Sequence, residues 1–406
     1  MIGEIIWEMV LAIGRFFINP LLYIFIAFSI YIGVQRVKNE RKHFHIRVYD
    51  VVDDLISPLS RALLVGVFAS FLFITIGVVV PTGLLALFAL LSVFTIFLFP
   101  FRWTSFSAIA SLSMFVILLQ PSVPIDWAFL NTWLNDLRSV DLSMLAIFIA
   151  VLSLVETYLI TTDGSKRPSP RLQKGTRGKP IGLLTLKQLW IVPLVTFWPV
   201  GSLELPSWWP TIYADGSQWG LVLFPVTLSY HHDLMSQRPE EATGQFGKRS
   251  SLVVLLVTFS AVMALFYPVF AVVTAVLALF GREFLFVLEK MKETKGSPIY
   301  TLRERGLVVV GVLPQSPAEK MNIQVAELIT NVNGVEVKTE REFYEALQTN
   351  SAYCKLQVVD GRGEVRFAQT AIYDGEHHQI GLLFITDESQ KSKESLPTSN
   401  ETTMMS

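Results

Sequence analysis

Apolar positions along this chain follow two regimes. Up to about residue 286 they form long unbroken runs; from residue 297 they form short alternating or one-sided patterns between polar turns. A helix needs about 20 apolar residues to cross a bilayer, and fewer where the bilayer thins. On that basis residues 16–34, 62–80, 84–99, 104–119 and 142–160 are predicted spans, with breaks at Pro81-Thr82-Gly83 and Pro100-Phe101-Arg102-Trp103. Residues 189–205 form a sixth, interrupted by Pro193, Pro199 and Gly201. The next two runs are ambiguous: 219–230 is short and holds Pro225, while 252–281 is long and carries Tyr267-Pro268 at its centre. If both are complete, the second as a hairpin, there are nine spans; if the first only dips in and the second is one tilted helix, there are seven. Ahead of them Ile2, Ile5, Ile6, Met9, Val10 and Ile13 recur at helical spacing opposite Glu4 and Glu8, as in an interfacial lead-in.

The C-terminal pattern predicts a small α+β domain over 297–387, after a linker at 287–296 and before a polar, disordered tail at 388–406. A β-branched run begins at Gly306-Leu307-Val308-Val309, and Ser316-Pro317-Ala318-Glu319 reads as a turn into a short helix. Ile329-Thr330-Asn331-Val332 enters an Asn333-Gly334 turn and a hairpin. Thr339 then caps a helix whose Glu342 stands three residues on and whose Phe343, Ala346 and Leu347 share one face. Later strands are predicted at 355–359, 364–367 and 379–385.

Composition agrees with the first regime. Of 406 residues, 51% are hydrophobic and only 17% charged, too apolar for a soluble chain of this length, so residues 1–286 are read as a polytopic α-helical membrane domain. The opening residues carry Glu4 and Glu8 where a cleavable signal has basic residues. The single cysteine, Cys354, excludes an intramolecular disulfide and reads as a small buried side chain.

Basic residues set the expected orientation. Arg36, Lys38, Arg41, Lys42 and Arg47 fall in the loop 35–61; Lys166, Arg167, Arg171, Lys174, Arg177, Lys179 and Lys187 fall in 161–188. Both loops are therefore expected in the cytoplasm. The second, rich in Pro and Gly, reads as a flexible segment near anionic lipids. The alternate loops hold Asp126, Asp136, Asp141 and Asp215, with Trp127, Trp133, Trp208, Trp209 and Trp219 as an outer aromatic belt. An odd number of spans then places the C-terminal domain in the cytoplasm.

Catalytic signatures are missing from the sequence. It contains neither His-Glu-x-x-His nor Gly-x-Ser-x-Gly, and 242–250 has Ala242 and Arg249 where a phosphate loop needs Gly and Ser or Thr. His231-His232-Asp233, with His43 and His45, reads as a solvated interfacial cluster, because adjacent helical histidines diverge and ligate one ion poorly. Glu156 and Glu204 lie near span ends and read as interfacial; transport through a broken helix at Pro193 and Pro199 is the weaker reading. The chain is therefore expected to be non-enzymatic, with no cofactor, no metal and no nucleic acid.

The order of Gly-Leu and strand, Ser-Pro-Ala-Glu turn and helix, Ile-Thr-Asn-Val-Asn-Gly hairpin and capped helix resembles a bacterial PDZ domain. Two positions depart from that family: Ala326-Glu327 stands for its Gly-Asp, and Met321-Asn322 for its Ala-Gly, although Asn322 still suits a left-handed helix end. The resemblance implies β-augmentation in a groove between 307–313 and 340–347. The amides of Arg305, Gly306 and Leu307 would receive a terminal carboxylate, Val308 and Val309 would pair with the ligand strand, and Phe343 and Leu347 would line the pocket. The whole chain, from Phe16-Phe17-Ile18-Asn19-Pro20 through Arg36-Val37-Lys38-Asn39-Glu40-Arg41 to the C-terminal domain, resembles the MinJ family of Min-system topology factors. That resemblance implies a scaffold at cell poles and septa. It would bridge a DivIVA-like polar scaffold to the MinC and MinD division inhibitors, restrain the FtsZ ring and contact other divisome membrane proteins. The competing readings are a PDZ-bearing transporter and a regulator of membrane proteolysis.

Overall fold

The structure is a computed structural model that describes residues 2–120, 128–175, 178–203, 219–350, 353–371 and 380–385. Asp126, Trp127, Arg177, Glu204, Trp208, Trp209, Asp215 and the tail from 388 lie outside the described residues.

The N-terminal part is helical at both ends and β in the middle. Helices α1 (Ile2–Ile18), α2 (Pro20–Phe44), α3 (Asp53–Ile56), α4 (Leu59–Ile76), α5 (Thr82–Leu98), α6 (Phe106–Leu119), α7 (Ala128–Arg138) and α8 (Leu142–Asp163) precede strands β1 (Ser169–Lys174), β2 (Pro180–Leu203) and β3 (Trp219–Leu234). Helices α9 (Pro239–Ala264), α10 (Val269–Val276) and α11 (Arg282–Lys295) follow, the last two joined by one π-helical turn, Leu277–Gly281. Among the described residues, five helices are long and apolar enough to cross a membrane: Pro20–Phe44, Asp53–Ile76, Leu142–Asp163, Pro239–Ala264 and Val269–Lys295, while α5 and α6 are shorter apolar ones. The chain is a membrane protein.

Two local expectations change, and one choice left open is made. The first apolar run is split, because the Asn19 side chain accepts the Leu21 N–H at 3.0 Å and Pro20 starts a new helix. On α1 the polar side faces the protein: Glu8 is buried and accepts from the Ser202 hydroxyl at 3.0 Å, while Ile6, Trp7, Val10 and Phe17 are exposed. The run 252–281 is a helical hairpin turning at Pro268, with α9 extending back to Pro239.

The largest correction concerns 189–205 and 219–230, expected as membrane segments. They form β2 and β3, an antiparallel ribbon in register from Leu184↔Leu234 to Trp198↔Gly220. Strands buried on both faces read as continuous apolar runs, so hydropathy alone does not separate them from helices. Pro193 and Pro225 are direct partners across the ribbon. The ribbon's outer edges would be intolerable in hydrocarbon, where no water can satisfy them. The chain supplies partners instead. Val195 N–H donates to the Ser70 hydroxyl (2.9 Å), Phe197 exchanges bonds with Val78 and Val80, and Leu221 C=O accepts from Arg15 (3.0 Å). Helix α4 approaches closely enough that a Cβ on Gly66 would sit 2.5 Å from the Pro193 carbonyl oxygen.

The basic segment 161–188, expected to be flexible, is mostly ordered by β1 pairing with β2 from Ser169↔Thr185 to Lys174↔Pro180. Asp163 anchors it by accepting from Trp190 Nε1 (2.9 Å) and pairing with Arg61 (2.9 Å), and Arg167 donates to Gln188. Glu40 ties α2 to the same corner, accepting from Ser169 (2.9 Å) and Val48 N–H (2.8 Å) and pairing with Arg36 (3.1 Å).

The C-terminal part is a β domain with two helices. Its strands are β4 (Leu307–Val312), β5 (Leu328–Val332), β6 (Val335–Glu336), β7 (Tyr353–Val359), β8 (Val365–Ala371) and β9 (Leu382–Phe384), with α12 (Pro317–Lys320) and α13 (Glu340–Gln348) between them. The sheet order is β8-β7-β5-β4-β9, and β6 pairs with β5. Asn333 and Gly334 both take positive φ, 50° and 91°, as the tight hairpin turn requires, and Asn322 ends α12 at φ 55°. Residues 287–296, expected as a linker, continue α11 as far as Lys295. The domain sits directly on the ribbon's base: Gly182 N–H donates to Tyr300 C=O (2.8 Å), and Val308, Val310, Leu383 and Ile385 join the core of the membrane part.

Candidate functional site

The recognition expected of the C-terminal domain needs an unpaired strand edge next to a helix, and β4, where that edge was expected, is paired on both sides. Strand β4 is an inner strand. It pairs with β5 through Leu307↔Ile329 and Val308↔Leu328, and with β9 through Val309↔Phe384, Gly311↔Leu383 and Val312↔Leu382. The expected groove residues are accordingly buried: Val309, Phe343 and Leu347 are 0% exposed, and Leu307 and Val308 only 5% and 7%. Of the three residues expected to cradle a carboxylate, Arg305 is exposed, Gly306 is buried and Leu307 pairs with Ile329. Gly306 has φ +84°, and a Cβ there would lie 2.6 Å from the Ile329 carbonyl oxygen, so its glycine serves strand packing.

The edge beside α13 belongs to β9. Thr339 accepts from Glu342 N–H (3.2 Å), Glu342 accepts from Lys338 N–H (2.7 Å), and the capped helix turns Phe343, Ala346 and Leu347 inward. The Phe343 ring meets the Phe384 ring at 5.0 Å and 60°, which locks α13 to β9. Gly381, at φ +85°, starts β9 as Gly306 starts β4. Two Gly-Leu strands with one pattern compete for the edge position in the sequence, and only sheet order separates them. Cys354 lies in the core, and burial pushes its thiol up to about 12, so it is chemically quiet.

The other singled-out groups are structural. Glu156, expected at an interface, is buried two turns inside α8. It pairs with Arg282 (2.8 Å) and accepts from the Ser107 hydroxyl. Arg282 also donates to the carbonyls of Arg102 (2.7 Å) and Ser229 (3.3 Å), so one guanidinium joins α8, β3, α11 and the turn before α6. This removes the free intramembrane acid on which transport was considered, and Pro193 and Pro199 lie on a strand. His231 and His232 alternate along β3, the first facing Asp233 at 3.6 Å and the second buried. Among the described residues, no group of three His, Cys, Asp or Glu side chains could hold a metal ion.

No family model matches this chain. The chain is similar to the cell division topological determinant MinJ of Bacillus subtilis (strain 168), with 32% identity over 387 residues, 94% of this chain and 96% of that protein. It is also similar to a probable cell division topological determinant MinJ of Lacticaseibacillus paracasei, with 27% identity over 256 residues, 60% of this chain and 66% of that protein.

Proposed function

This chain belongs to the MinJ family of cell division topological determinants, and from that premise we propose that it is a non-enzymatic membrane scaffold whose C-terminal β domain is a PDZ-type recognition module. The observation that carries the reading is the β9 edge beside α13, unpaired among the described residues, on a sheet whose other face is docked on the membrane part. An extended partner segment would add to β9 by main-chain bonds, with α13 as its wall. The groove thus keeps Phe343 as a support and replaces β4 by β9 as the pairing strand.

In this reading the domain and the basic corner at Glu40, Asp163 and Arg167 face the cytoplasm, anionic lipids cover the basic surface, and the protein concentrates at poles and septa. Its partners are a DivIVA-like polar scaffold, the MinC and MinD inhibitors and other divisome membrane proteins. The structure's helix count gives an odd number of crossings if α5 and α6 also span, with positions 166, 240 and 303 on one side. The test is MinD position in cells with and without this protein at matched expression. Dispersal of MinD from poles and septa is expected on its loss; unchanged polar and septal MinD overturns the bridging role. Single cysteines at 166, 240 and 303, in a chain with Cys354 replaced, should resist membrane-impermeant label in intact cells.

A further inference from the structure

A second surface, away from the β9 edge, has the chemistry of a binding site. A cleft of about 950 Å³ opens between the start of α9, the extended segment after α11, and the β7–β8 turn. Arg238, Arg303, Arg305 and Arg362 line it, against Glu241, Glu304 and Asp360. Asp360 is already engaged, since it accepts from the N–H groups of Arg362 (2.7 Å) and Glu364 (2.9 Å) in its own turn.

Arg238 is the informative member. It stands before the first turn of α9 and reaches across to the β7–β8 turn, where a Cβ on Gly361 would lie 2.7 Å from its Nη2. That Nη2 is buried and has no hydrogen-bond partner among the described residues. A desolvated guanidinium nitrogen without a partner is costly, and an oxyanion supplies what it lacks. The adjoining wall is the strip 303–305, which is exposed, irregular and has no backbone hydrogen bond among the described residues.

The position of the cleft selects among anions. Polar helix from Pro239 to Ser251, about 20 Å at the rise of an α-helix, separates Arg238 from the apolar part of α9. That spacing favours a partner in the aqueous phase over lipid headgroups. Among the described residues, no aromatic side chain lines the cleft to stack on a nucleotide base. Unpaired backbone flanked by guanidinium groups fits an extended chain carrying carboxylates. We propose that this cleft binds an acidic, extended peptide segment of a partner protein, with Arg238 pairing to a carboxylate and the strip 303–305 meeting its backbone.

The test uses the full chain in phosphatidylcholine nanodiscs. The probe is a fluorescent pool of decapeptides with Asp or Glu at alternate positions, read by anisotropy beside an Asn/Gln pool of the same design. The acidic pool is expected to bind, to weaken as salt rises, and to lose about tenfold in affinity, the scale of one charge-assisted bond, in Arg238→Gln. The exposed pair Arg303→Gln/Arg305→Gln, outside every helix and strand, should lose a similar amount without touching the fold. Absence of binding, equal binding of the Asn/Gln pool, or wild-type affinity in both variants overturns the proposal; the last would place the peptide on the β9 edge instead. Displacement by ATP below the concentration at which unlabelled acidic peptide competes would also overturn it, in favour of a nucleotide.

Discussion

The chain contains two β systems that treat their unpaired edges in opposite ways. The β2–β3 ribbon lies among membrane helices, and its outer N–H and C=O groups are taken by Ser70, Arg15, Arg282 and the 78–80 segment. The C-terminal sheet ends in β9, which pairs on one side only among the described strands. In a medium without water every edge must be closed, whereas in water an edge can be left for a partner. The first system is therefore closed on its outer edges, the second leaves β9 unpaired on one side among the described strands, and α11 together with the Gly182–Tyr300 bond joins them.

The strongest way to break this contrast is to open the closed system. Arg282→Met leaves Glu156 buried and unpaired and should cost about 3–5 kcal/mol, read as a lower midpoint of thermal unfolding in detergent. Adding Glu156→Gln should return much of that loss; an unchanged midpoint in the single variant would show that the ribbon does not depend on this clamp. Within the recognition system, Phe343→Ala removes the ring that supports β9 and should cost about 3–5 kcal/mol as a core truncation. Hydrogen exchange at 382–384 should rise with it, whereas β2 and β3 stay protected. Val309→Pro sharpens the edge assignment. Val309 N–H donates to Glu327 C=O at 2.9 Å inside the sheet, so proline should destabilise the domain by about 3 kcal/mol or more. Full stability with lost partner binding would restore β4 as the groove strand.

Smaller changes should be graded. Thr339→Ala removes the α13 cap and should cost about 1 kcal/mol, with fraying confined to the first turn by hydrogen exchange. Cys354 should resist thiol reagents at pH 8 until the domain unfolds. Its thiol is raised from 9.0 to about 12 by burial, so the folded state holds its proton where the unfolded state loses it. Stability contributed by the buried thiol is full below pH 9 and declines as pH rises toward about 12, a decline that Cys354→Ala should lack.

The amino-acid sequence by itself determined, through its long apolar runs, that the chain is a membrane protein, and it determined the local chemistry of the C-terminal domain. The Ser316 and Thr339 caps, the Asn333-Gly334 turn and the left-handed Asn322 are each fixed by neighbours within a few residues, so they are legible without a fold. Tertiary structure alone decided that 189–203 and 219–230 are strands, because a doubly buried strand and a buried helix share one hydropathy profile. It decided that Glu156 is neutralised, because Arg282 lies 126 positions away. It also decided which of two Gly-Leu strands is the edge, since strand order depends on pairings between distant segments that no local pattern encodes.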